Sequence, residues 1–185
     1  MKKFYMTAVV AVMFAFGPNS LYGQNMYIST NLLDYFNLGT INGEFGLSPG
    51  PNWSFYIRGR YNPFSFDMGA PVQNRVASVV SGAKYWPWYA YAGWFITANA
   101  GYSMYNTGGI FNSYSYEGNA WHLSIGGGYA LMLSKRFNLD FGIGVQGGYT
   151  SYTKYACPRC GKVVNEDKKL YVAPSNMMVQ LTMIL

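Results

Sequence analysis

Three groups of residues carry chemistry that a chain of 185 residues could use. His122-Leu123-Ser124 sets an imidazole and a hydroxyl two residues apart. On a strand that spacing puts both on one face, where a histidine can take a serine's proton for nucleophilic catalysis. Cys157-Pro158-Arg159-Cys160 has the spacing of half a zinc knuckle or of a small disulfide. Glu44, Arg58, Arg60, Lys84 and Asp140 stand as isolated charges in neutral or apolar stretches, and buried charges must find partners. What each group can do depends on the elements that hold it.

Those elements are strands. From Phe137 to Tyr149 the chain alternates, with Phe137, Leu139, Phe141, Ile143, Val145 and Tyr149 on one face and Asn138, Asp140, Gly142, Gly144, Gln146 and Gly148 on the other. Strands of soluble proteins average about 5 to 6 residues, whereas a tilted strand needs about 9 to 11 to cross a bilayer. Period 2 rules out a spanning helix, and in hydrocarbon the only other way to satisfy every backbone N–H and C=O is a closed barrel. Spanning candidates run over 26–33, 38–47, 53–62, 76–86, 93–105, 121–133, 137–152 and 171–185. The expected fold is therefore all-β: an eight-stranded antiparallel transmembrane β-barrel, an up-and-down meander over residues 24–185. Short connections at 48–52, 87–92 and 134–136 would be periplasmic, and long ones at 63–75, 106–120 and 153–170 would lie outside. The first outer connection, near Asp34 to Asn37, is short.

The chain start agrees with that compartment. Lys2 and Lys3 precede an apolar run from Phe4 to Phe16 and a Gly17-Pro18 break, the pattern of a secretory signal peptide over residues 1–23. Its removal lowers the formal net charge from +6 to +4, spread along the chain with no basic stripe, so nucleic acid is not an implied partner. Only 11% of residues are charged while 19% are aromatic and 22 are glycine, a poor soluble surface and an ordinary composition for a barrel with aromatic girdles. Outer-membrane lipid is the implied surrounding. Gly126-Gly127-Gly128 and Gly142-Ile143-Gly144 precede no helix, so they are spacers in a narrow lumen and not phosphate loops.

Face assignment then sorts the chemistry. Trp53, Phe55, Ile57 and Tyr61 of the third strand face lipid, as do Trp121, Leu123 and Ile125 of the sixth, which leaves Arg58, Arg60, His122 and Ser124 in the lumen. An arginine on lipid near the midplane would cost about 2 to 4 kcal/mol, so Lys84 is expected to point inward too. Eight strands leave room only for side chains or one small ligand. Glu44, Arg58, Arg60, Lys84 and Asp140 are thus read as a lumenal charge network that plugs and rigidifies the barrel. With the second turn centred on Gly50, Arg58 would sit opposite Asn42 and diagonal to Glu44, within ion-pair reach. The alternatives are a narrow pore or a small-ligand site among Glu44, Arg58, Arg60 and Lys84.

Outer-membrane lipid A deacylases use a His-x-Ser pair, which makes a hydrolase using His122 and Ser124 a further alternative. Here both residues face the lumen, away from an acyl chain, and the orienting acid is missing. With the turn centred near Lys135, His122 pairs with Gly148 while Asp140 pairs with Ala130, roughly 25 Å further along. No enzyme, cofactor or resident metal is therefore expected. In an oxidising exterior Cys157 and Cys160 favour an intraloop disulfide; shared zinc would need ligands from another chain, and free thiols are the remaining state.

Thr30-Asn31-Leu32-Leu33, Asn37-Leu38-Gly39 with Glu44, Lys84-Tyr85-Trp86 and Ala173-Pro174-Ser175 together resemble an uncharacterised family of small Gram-negative outer-membrane barrels. In that family Thr-Asn-Leu-Leu opens the first strand, Asn-Leu-Gly with a glutamate marks the second, Arg-Tyr-Trp ends the fourth and Gly-Pro-Thr precedes the last. Lys84, Ala173 and Ser175 are conservative departures. The resemblance implies a barrel in the outer membrane without an established activity, often encoded near fimbrial components, and hence an envelope or fimbrial protein partner. The function expected is that of an envelope structural and interaction protein acting through its extracellular loops.

Overall fold

The structure, a computed structural model, describes residues 26–67, 71–108, 114–156 and 161–185. The leader at 1–23 lies outside these residues, as do Cys157 and Cys160. Strand segments follow one another as β1 (Met26–Asn31), β2 (Ile41–Leu47), β3 (Trp53–Asn62), β4 (Ser65–Asp67), β5 (Pro71–Tyr85), β6 (Gly93–Gly108), β7 (Ser115–Met132), β8 (Phe137–Tyr155) and β9 (Val163–Ile184). One short helix, α1 (Leu32–Phe36), interrupts them. All neighbours pair antiparallel, β3 pairs with β5, and β1 pairs with β9, so eight strands close into a meander barrel. The short β4 pairs only with the start of β5 and stands outside the ring count.

The sorting of side chains follows the period of 2. Trp53, Phe55 and Ile57 of β3 point outward with Trp121, Leu123 and Ile125 of β7, while Tyr56, Arg58, Lys84, Asp140 and Gln180 are buried inside. β5 and β6, whose phase the sequence leaves open, obey the same rule: Val79, Trp94 and Ile96 are exposed, Ser78, Phe95 and Thr97 buried. The first and last of the described residues lie at the short-turn end, where Tyr27 pairs with Ile184.

Several element ends differ from expectation. Leu32 and Leu33, expected to finish the first strand, belong to α1, because the Asn31 side chain accepts the Leu33 N–H at 3.2 Å and caps a helical turn. The second strand begins at Ile41 instead of Leu38, since Leu38 and Gly39 take positive φ (50° and 73°) in the turn that leaves α1. The stretches 63–75, 106–120 and 153–170, expected as long connections, are largely ladder. Backbone pairing does not need an apolar face, so β6 to β9 continue past the point where outward alternation fades.

Register is corrected by two residues at the first turn. Glu44 pairs with Arg58, and Asn42 with Arg60. The cause is Ser48, whose hydroxyl donates to the Trp53 carbonyl at 2.7 Å and so ends the β2–β3 ladder early, leaving Trp53 and Ser54 to pair with β5 alone. At the turn near Lys135 the expected register holds, with His122 opposite Gly148 and Asp140 opposite Ala130.

Candidate functional site in the barrel lumen

The short-turn end of the lumen is filled. Tyr27, Tyr56, Trp86, Tyr91, Phe95, Met178 and Ile184 form one buried cluster. Glycine makes room for the rings: a Cβ on Gly46 would overlap the Tyr27 ring, and one on Gly128 would meet Phe95. Tyr91, in the turn between β5 and β6, packs edge-on to Trp86 and Tyr27. Burial pushes its phenol up to about 12, opposed by a hydrogen bond with Ser48.

Inside this cluster lies the charge network. Glu44 Oε2 accepts from Arg58 Nε at 2.8 Å and Nη2 at 2.5 Å, while Oε1 accepts from Lys84 Nζ at 2.9 Å and from the Tyr27 hydroxyl at 2.7 Å. One carboxylate thus holds four donors, with both arginine nitrogens converging on one oxygen and the lysine and tyrosine on the other. Lys84 is only 1% exposed, and its ammonium sits 5.1 Å from the Tyr27 ring centre, 5.2 Å from Tyr56 and 5.5 Å from Phe95. The aromatic faces supply a second favourable surround for the cation. Asp140 accepts from Thr182 at 2.9 Å and lies within electrostatic reach of Lys84 and Glu44. Both buried cations therefore converge on the single carboxylate of Glu44, and Asp140 makes no ion pair among the described residues.

Of the sequence-selected residues, Glu44, Arg58 and Lys84 meet directly. Asp140 contributes from the opposite wall through Thr182. Arg60 does not join them; it forms an ion pair with Asp34 of α1 at the long-loop end. Asp34 escaped sequence reading because it lies in a connection and not on an alternating strand. Tyr27 was legible, since it shares the inward phase of Ser29 and Asn31.

Above the plug, Tyr56 bonds Thr97 at 2.9 Å and accepts from Asn99 at 3.0 Å, and Ser124 donates to Asn99 Oδ1 at 2.6 Å. His122 lies against Gly101, so close that a Cβ there would overlap the imidazole. Ser124 is thus drawn into an amide network while Asp140, opposite Ala130, stays far down β8. Among the described residues no group of three or more His, Cys, Asp and Glu side chains could hold a metal.

No curated protein and no solved structure matches the sequence. A family profile, described as a protein of unknown function and designated DUF3575, matches residues 8–185. With nearly the whole chain covered, this eight-stranded barrel belongs to the DUF3575 family of proteins of unknown function.

Proposed function

We propose that the chain is a non-enzymatic barrel of a Gram-negative outer membrane that works as an envelope structural and interaction protein, in association with fimbrial or other surface-appendage components. The observation that carries the membrane reading is the outward belt. Ile28, Ile57, Ile96, Leu123, Ile125, Ile143 and Val145 are all roughly half exposed or more, on a surface where a soluble protein rarely leaves large apolar patches. Tyr102 stacks on Trp121, and Trp94 packs edge-on to Tyr129, as rings at a membrane boundary do. The plugged short-turn end of the lumen argues against a diffusion pore, and the engagement of Ser124 by Asn99 argues against a hydrolase.

The interaction reading rests on the uneven height of the wall. β1 pairs with β9 only from Gln180 to Ile184, whereas β9 continues outward to Val163 along β8. The stretch Val163–Leu170 is exposed along its length and carries backbone groups that β1 does not reach. Such an edge is a template for an added strand. Alkaline washing of membranes from expressing cells, followed by gel mobility with and without heating, tests the first part: the protein should stay in the membrane fraction and migrate faster unheated. A protein dissolved without detergent, or a mainly helical spectrum, sinks it. Shortening the β8–β9 extension by deleting 154–166 tests the second, since partners that co-purify undiminished with this variant are not held by the extension.

A further inference from the structure

The outer half of the lumen is not filled. A cavity of about 370 Å³ lies above the Glu44 network, within the size range of small-molecule sites. Four basic side chains line it, namely Arg58, Arg60, His122 and Lys169, and no carboxylate does. Most of the rest of its wall is hydroxyl and amide, with Tyr105 and Tyr171 supplying rings. We propose that this cavity binds a small acidic sugar, a hydroxyl-rich molecule carrying one carboxylate or phosphate group.

The charge and the donors both point that way. Glu44 alone answers both Arg58 and Lys84, and one guanidinium nitrogen of Arg60 is taken by Asp34. Arg60 Nε, however, is buried and bonds nothing among the described residues. A buried N–H is costly until it finds an acceptor, so Arg60 is held by Asp34 with a donor still to give. Lys169, exposed and 5.2 Å from the Tyr152 ring centre, makes no ion pair among the described residues. The site therefore carries uncompensated positive charge, which matches an anion and not a bare cation or a neutral solute.

The polar wall selects the remainder of the ligand. Tyr105 is fixed by a 2.6 Å hydrogen bond with Thr150, and Gln146 lines the same space with donors and an acceptor suited to sugar hydroxyls. Access comes from the long-loop end, where β1 stops at Asn31. The cavity lies within the ring of strands, so the ligand is a free sugar or the terminal sugar of a chain.

Calorimetric titration of the detergent-solubilised barrel with glucuronate, glucose 6-phosphate and glucose tests this. Both acidic sugars should bind at least about tenfold more tightly than glucose. Lys169→Gln, at an exposed position that the plug does not use, should weaken both by about tenfold, and Arg60→Gln by at least as much, with Arg60→Lys recovering part of the loss. Absence of binding by both acids overturns the proposal, as does equal binding of glucose or indifference to Lys169→Gln. Competition by a phosphorylated glycolipid in mixed micelles identifies the source: displacement of glucose 6-phosphate assigns the site to a lipid-borne sugar, and its absence to a free one.

Discussion

Lys84 and Glu44 make a 2.9 Å ion pair although their strands never touch, because β3 lies between β2 and β5. The long ammonium stem crosses the inner face of β3 beside Ser54, its own ladder partner, while Arg58 of β3 takes the other carboxylate oxygen. Three adjacent strands are thereby tied through one carboxylate.

Glu44→Gln should destabilise the barrel by about 3–5 kcal/mol, because it strands two buried cations without their acceptor. Urea unfolding in micelles, followed by tryptophan fluorescence, gives the value. Adding Lys84→Met to the variant should restore part of the loss. A shift below about 1 kcal/mol for Glu44→Gln would mean that water reaches the network.

Planar bilayers containing the native barrel should carry no steady ion current, since the aromatic cluster and the Glu44 network close the short-turn end. Replacing Tyr27, Tyr56 and Phe95 together by alanine should open a conducting path. A steady native current that Arg58→Ala abolishes would overturn the plug.

Gly46→Leu should cost about 1–3 kcal/mol by forcing the Tyr27 ring from its seat. Gly50→Ala, with open space around its Cβ, is the control and should be near neutral.

Tyr91 sets an alkaline limit. Its phenol is raised by burial to about 12 from an ordinary value of 10.0, so the folded state holds this proton more tightly than the unfolded chain. The stability this gives is complete below pH 10 and is lost as pH rises through 12. Unfolding midpoints measured across that interval should fall less steeply for Tyr91→Phe than for the native chain, and parallel curves would refute the assignment.

Cys157 and Cys160 should be joined when the protein is made in an oxidising compartment. Intact mass before and after reduction should differ by two hydrogens, and no zinc should accompany the purified chain. Zinc at one atom per two chains would assign a shared site instead.

How far the sequence reaches is shown by particular residues. The unbroken alternation from Phe137 to Tyr149 specifies both faces of β8, and symmetry about Lys135 gives its pairing with β7 without error. Around Gly50 the same reasoning misses by two residues, because the Ser48 side chain replaces a backbone rung and no periodicity registers that. The inward phase of Glu44, Arg58 and Lys84 follows from the cost of placing them on lipid. Their meeting at one carboxylate does not, since it depends on the register and on a stem reaching over a neighbouring strand. Asp34 is invisible for a different reason: its role comes from a five-residue helix that one asparagine cap creates.

The shortest of the eight ring strands closes the barrel. β1 has 6 residues and β9 has 22, so the seam between them is latched only from Tyr27 to Asn31, with the Asn31 amide bonding the Met177 carbonyl and the Val179 N–H just above it. If the cylinder ever breathes sideways it does so along this line, and the backbone hydrogens of β1 should exchange with solvent long before those of β7. A barrel built this way has a built-in parting line, and it runs directly beneath the tall side on which everything outward-facing is mounted.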